Sequence, residues 1–319
     1  MQRIREEHEL RAKSLTHFDQ EAEFQDQQRF QTLKTRMSPR TYDDRLDWLL
    51  NRSCQGSAKW LVKDKSFLGW LESSNTVVRW LWIHGIPGSG KTFLCAAAVT
   101  EAKAHHRTLF AFASHIHQST LTARCILQSL VFQAAFDSKD VQLAIVHSDE
   151  RNLSGSTTYV SGLLKTLLKS IGPTYIILDG LDEMDAVERR ILLQQLGELD
   201  DCTEVKILVS SRPEDDIANT LAAKAVGIRV DKENSGAIQT YVNQRTHNWL
   251  NREGFDQEAR RQIKSLLLPV TGNANGEKLN RTIPNDNNIV KLLTLRSRHV
   301  SICSNYLGQR RTSHQSRGD

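Results

Sequence analysis

With 319 residues, 39% of them apolar, and a net charge of +5, the chain has room for roughly two domains, or one α/β domain with additions. Its five cysteines (Cys54, Cys95, Cys125, Cys202, Cys303) are scattered and form no C-x-x-C pair, which argues against a disulfide framework and a zinc site. The charged start, Met1-Gln-Arg-Ile-Arg-Glu-Glu-His8, is no secretory signal and no run reaches the roughly 18 apolar residues of a membrane span, so a cytoplasmic protein without a membrane partner is expected.

Residues 1–37 mix charges of both signs with sparse apolar positions. That favours a helix, but the apolar spacing does not sustain the heptads of a coiled coil. Ser38-Pro39 is a natural break. In a lead-in over 38–75, two helical patterns follow, Asp43–Arg52 and Ser57–Glu72. Trp48, Leu49, Trp60, Leu61, Phe67, Leu68, Trp70 and Leu71 give them a large apolar face, expected to pack on the next domain.

Over 76–232 the pattern alternates. Strand-like runs at Trp80–His84, Thr108–Ala113, Thr174–Asp179, Val205–Ser210 and Val226–Val230 enclose helical patterns at Phe93–Ala104, Thr120–Phe136, Thr158–Ile171, Ala186–Leu199 and Glu214–Ala223. Near-continuous apolar strands separated by helices predict an α/β fold, a parallel sheet covered on both faces. Residues 233–276 begin a partial helical domain, with Ser235–Trp249 and Asp256–Leu268 as amphipathic helices. Residues 277–319 read as a disordered tail. Eight basic residues against three acidic ones give that tail the whole positive surplus. The rest of the chain is balanced, which argues against nucleic acid as a partner.

The most telling stretch follows the first strand: Gly85-Ile86-Pro87-Gly88-Ser89-Gly90-Lys91-Thr92, running into the helical Phe93. This is the P-loop (Walker A) arrangement, in which glycines let successive backbone N–H groups face a nucleotide's phosphates. The helix adds the positive end of its dipole. Lys91 would reach the β- and γ-phosphates and Thr92 would ligate Mg²⁺.

A second element, Tyr175-Ile-Ile-Leu-Asp179-Gly-Leu-Asp182-Glu183, ends a buried strand in acids. It reads as Walker B, with Asp179 holding the Mg²⁺ hydration shell opposite Thr92. Gly180 stands where many hydrolytic P-loop ATPases place a glutamate that orients the attacking water. Asp182 or Glu183 must orient the lytic water, unless they cap the next helix, so slow hydrolysis is expected. A third element, Lys206-Ile-Leu-Val-Ser-Ser-Arg212-Pro213, should end beside Asp179. There Arg212 senses a γ-phosphate or pairs with a local acid such as Glu214, and Ser210 or Ser211 holds water.

With these elements in place the chain resembles the NACHT-type NTPases of the STAND class, and among them fungal receptor-like proteins with a nephrocystin-type module. Arg40–Leu49, Gly56-Ser-Ala-Lys-Trp-Leu61 with Phe67-Leu-Gly-Trp70, and Ile238-Gln-Thr-Tyr-Val242 extend the likeness beyond the three motifs, over about 40–276. The resemblance implies a P-loop NTPase with a five-stranded parallel sheet in the order 5-1-4-3-2. It implies a switch between ADP and ATP, self-association through the NTPase domain and an effector partner, with roles in self/non-self recognition and cell death. The absence of a guanine-reading N/T-K-x-D motif favours ATP, and GTP use is known in the class. The likeness stops at Gly276. The tail then reads as an unspliced intron or a shifted frame, leaving a C-terminally truncated module. Two other readings remain, an autonomous P-loop ATPase and a truncated, non-functional fragment.

Overall fold

The computed structural model describes residues 21–53, 56–114 and 121–234, together with the isolated positions 236 and 244. Helix α1 covers residues 21–37 and α2 spans Asp43–Arg52. A 3-10 turn, Leu61–Lys63, precedes α3 (Lys65–Leu71). The single helix predicted over Ser57–Glu72 is therefore interrupted. Asp64 causes the break by accepting from the N–H groups of Ser66 (2.8 Å) and Phe67 (3.1 Å), the capping geometry that starts a new helix.

Beyond the lead-in come β1 (Trp80–His84), α4 (Lys91–His105), β2 (Thr108–Phe112) and α5 (Ala123–Ala134). Next are α6 (Lys139–Val146), α7 (Glu150–Gly155), α8 (Thr157–Ile171) and β3 (Thr174–Asp179). The series closes with α9 (Ala186–Asp200), β4 (Val205–Ser211), α10 (Asp215–Leu221), β5 (Ala225–Arg229) and α11 (Val230–Glu233). Helices α6 and α7 were not anticipated. Both are short and begin at side-chain caps, Ser138 onto Val141 N–H and Asp149 onto Arg151 and Asn152 N–H.

The five strands are all parallel and lie in the order β2-β3-β4-β1-β5, the predicted order read from the other edge. β3 and β4 are buried along their whole lengths, which is why their sequences are almost continuously apolar. Edge strand β2 is closed by a side chain. Gln133 of α5 accepts from Phe110 N–H (2.9 Å) and donates to Phe110 C=O (2.8 Å), as a neighbouring strand would.

The lead-in shares this core. Leu49, Leu61, Phe67 and Trp70 are fully buried with the strand residues, and Trp70 meets Tyr175 of β3 edge to face at 5.1 Å. The last carbonyls of α3 have no partner within the helix. Lys206 Nζ donates to Trp70 (2.9 Å) and Glu72, and Tyr175 Oη donates to Leu71 (2.7 Å). Two residues expected on the buried face are in fact outside it, Trp48 (42% exposed) and Leu68 (47%). Trp48 is covered instead by the guanidinium groups of Arg45 and Arg52, stacked 4.5 and 4.6 Å from its ring. Apart from positions 236 and 244, the predicted helices of 235–268 and the tail over 277–319 lie outside the described residues.

Candidate functional site: the phosphate loop and its acids

Strand order decides what meets. β4 lies between β1 and β3, so the loop after β1, the end of β4 and the acids after β3 converge at one edge of the sheet. A cavity of about 870 Å³ opens there. Pro87, Gly88, Gly90, Lys91, Thr92 and Phe93 form one side, and Asp179, Gly180, Asp182, Glu183, Ser210 and Arg212 another. The structure brings these predicted residues together; Gly85, Ile86 and Ser89 complete the loop behind them.

Gly90 adopts φ +93° and directly precedes α4, so the loop turns into a helix N-terminus at Lys91. Lys91 Nζ donates to the loop carbonyls of Gly85 (2.9 Å) and Ile86 (3.1 Å). Burial pulls its pKa below the ordinary lysine value, against the opposing charges of Asp182 and Asp179.

Asp179 is 4% exposed. Burial pushes its pKa up, while hydrogen bonds from Ser210, Thr92 and Cys95 and the charge of Lys91 oppose the rise. Thr92 and Asp179 line the same cavity, with the Thr92 hydroxyl near enough to favour the ionised Asp179 carboxylate. Mg²⁺ keeps most of its waters and takes one or two protein oxygens plus substrate phosphate, and a hydroxyl and a carboxylate meeting beside a lysine fit that requirement. No cluster of three or more His, Cys, Asp or Glu suited to a metal occurs among the described residues.

The remaining polar groups are largely committed to one another. Asp182 takes Arg212 Nε at 2.9 Å and Arg212 N–H at 3.0 Å. Glu214, offered in the sequence as a partner for Arg212, instead pairs with the buried Arg189 at 3.0 Å. Neither Asp182 nor Glu183 caps α9. Asp185 does, accepting from Val187 N–H at 2.9 Å. Ser210 Oγ donates to Asp179 and accepts from Gly180 N–H at 3.1 Å, and Ser211 Oγ accepts from Trp82 Nε1 at 2.8 Å.

Gly180 has φ +78°, and a β-carbon there would stand 3.1 Å from Ala113 C=O. The backbone at this position is built for glycine.

Sequence reasoning missed two parts of the site. Ser38–Tyr42 and Arg45 line the cavity, with Tyr42 buried against Phe112 at 6.5 Å. Burial lifts the Tyr42 phenol to about 12, so it stays neutral at any physiological pH. The turn after β5 lies behind the loop, with Asp231 close to Gly85 and Asn234 close to Gly90. An Asn just before a predicted helix reads as an N-cap, so nothing in the sequence pointed from Asn234 to the loop.

The family described as nephrocystin 3, N-terminal, matches residues 56–212. The vegetative incompatibility protein HET-E-1 of Podospora anserina is 29% identical over 198 residues, a stretch covering 58% of this chain and 14% of that protein. Among solved structures, the Aeropyrum pernix Orc1 protein in complex with DNA aligns with TM-score 0.38 at 12% identity, over 53% of this chain and 43% of its own. C. elegans PCH-2 aligns with TM-score 0.41 at 15% identity, over 67% of this chain and 53% of its own. The family match covers the whole stretch from Gly56 to Arg212, and with the sheet order and the loop it leads to one conclusion: over that stretch the chain is a P-loop NTPase domain similar to the NACHT-type nephrocystin 3 N-terminal family.

Proposed function

We propose that this domain binds ATP and ADP with Mg²⁺ and works as a slow nucleotide switch rather than a metabolic enzyme. The observation that carries the reading is the meeting of Lys91, Thr92 and Asp179 at the mouth of the loop. Mg²⁺ would supply charge neutralisation between the β- and γ-phosphates. Thr92 and Asp179 are the groups that would hold it, and Lys91 would exchange its loop carbonyls for phosphate oxygens. GTP is admitted as a second nucleotide.

Slow turnover follows from how the acids are engaged. Position 180 cannot present a carboxylate without strain. Asp182 is held by Arg212, and Ser210 by Asp179. Glu183 lines the cavity and is the carboxylate we assign to orient water. Arg212 would sense the γ-phosphate by leaving Asp182 for it. An arginine from a neighbouring copy typically accelerates such sites by about 10³–10⁵, which makes self-association through this domain part of the reading, with an unidentified effector protein downstream. The role of HET-E-1 in vegetative incompatibility, as its name states it, supports a receptor of self/non-self recognition in the cytoplasm. Residues 38–75 act as the lead-in, 76–232 as the NTPase domain and 233–276 as the start of a helical domain. Among the described residues no helix is long and apolar enough to cross a membrane.

Calorimetric titration of the full chain with ADP, ATP and GTP, with and without Mg²⁺, tests the assignment. Mg²⁺ should tighten ATP binding in the wild type and have little effect in Thr92→Ala. Affinity indifferent to Mg²⁺ in both would sink it. Turnover by the monomer above about 1 s⁻¹, within the range of ordinary enzymes, would favour the autonomous ATPase instead.

A further inference from the structure

Trp60 belongs to a stretch that the phosphate loop alone does not explain. Its neighbour Leu61 is fully buried, but Trp60 is half-buried and donates its indole N–H to Asn234 Oδ1 at 3.1 Å. The same amide donates from Nδ2 to the Ser89 carbonyl at 2.7 Å. Asn234, 5% exposed, therefore spends one end of its side chain on the lead-in and the other on the phosphate loop. The orientation is forced. An indole N–H can only donate and a backbone carbonyl can only accept, so a flipped amide would face donor with donor and acceptor with acceptor.

The packing is equally close. A β-carbon at Gly90 would stand 2.5 Å from Asn234 Nδ2, and one at Gly85 would stand 2.7 Å from Asp231 Oδ1. The turn at α11 thus rests directly on the back of the loop. The bonded carbonyl is also chemically placed. Ser89 C=O and Gly90 N–H are two ends of one peptide group, so a donor on the carbonyl polarises the N–H that the loop offers to phosphate.

Resting on the nucleotide reading above, we propose that Asn234 is a positioning residue of the phosphate loop. It fixes the Ser89–Gly90 peptide against Trp60 and strengthens it as an anion donor. By the same bonds, phosphate on the loop is felt at the point where the chain leaves β5.

The test uses the full chain and Mg·ADP, with calorimetric affinity and the ¹H–¹⁵N indole resonance of Trp60 as readouts. Asn234→Asp keeps the acceptor for Trp60 and removes the donor to Ser89; it should weaken ADP about tenfold, the loss of one productive hydrogen bond. Asn234→Ala should weaken it at least as much, and adding Trp60→Phe to Asn234→Ala should weaken it no further. In the wild type the Trp60 resonance should move on ADP binding, and in Asn234→Ala it should not. Variants that bind ADP like the wild type, even with a lowered melting temperature, would show that Asn234 only packs and would overturn the proposal alone. A wild type that binds no ADP, or binds it equally as Lys91→Ala, would overturn the nucleotide reading and this proposal with it.

Discussion

Gly180 follows Asp179 with φ +78° and has Ala113 C=O 3.1 Å from where a β-carbon would sit. Left-handed backbone costs an L-residue roughly 1–2 kcal/mol, and the close carbonyl adds to that. Gly180→Ala should therefore lower stability in urea by about 1–3 kcal/mol, and Gly180→Glu should not create a fast ATPase. A Gly180→Glu variant as stable as the wild type, with greatly raised turnover, would contradict this account of slow hydrolysis. The residues of the loop and the strand-end acid were legible because each motif is contiguous and announces its own chemistry. Asn234 was not, since its contact with Ser89 spans 145 positions, and no local pattern encodes such a contact. The pairing of Arg212 was legible only as a choice. The sequence offers Glu214, but the buried Arg189 takes that carboxylate and Arg212 turns to Asp182.

Among elements, β2 stands out because its free edge is capped by one amide, Gln133. Gln133→Ala leaves the Phe110 N–H and C=O without these partners. It should cost about 1–3 kcal/mol and raise aggregation on heating, measured by urea midpoint and light scattering; an unchanged midpoint would show that solvent replaces the amide freely.

The start of α10 is tied to α9 by Arg189, which meets Asp216 at 2.6 Å. Burial pushes the Asp216 carboxyl up, but the hydrogen bonds and charge of Arg189 outweigh it and hold it below the usual carboxylate range. A lowered folded-state pKa gives stability that is present above the unfolded value of about 3.9 and lost as pH falls through the folded one. As pH falls from about 5 through the lowered folded value the wild type should lose this increment, and Arg189→Leu should show a shallower slope in the same acid range. Identical slopes would remove the pair from the acid response.

Element type was easy to read where burial is complete, as in β3, or nearly so, as in β1, and there the predicted and observed limits coincide. It failed at α6 and α7, where Ser138 and Asp149 start helices too short to display a period, and at Asp64, which divides one apolar pattern into two elements.

For the whole molecule, the lead-in is part of the domain's core rather than an appendage. Trp70 is fully buried against Tyr175, and the end of α3 is held by Lys206 and Tyr175. Trp70→Ala should cost about 3–5 kcal/mol, enough to unfold much of a marginally stable chain; a loss under about 1 kcal/mol would mean that the lead-in docks only loosely. The parallel sheet followed from the alternation of strands and helices, and its strand order from the family resemblance alone. The path of Ser38–Arg45 along the cavity did not follow, because a break at Ser38-Pro39 carries no direction.

The central claim, that this loop is a working nucleotide site, is tested most directly by thermal unfolding with Mg·ADP. At a hundred times its dissociation constant the ligand should add about 2.7 kcal/mol, which raises the midpoint by roughly 5–10 °C for a domain of this size, and Lys91→Ala should abolish the shift. An unshifted wild type, or a Lys91→Ala variant that shifts as far as the wild type, would contradict it.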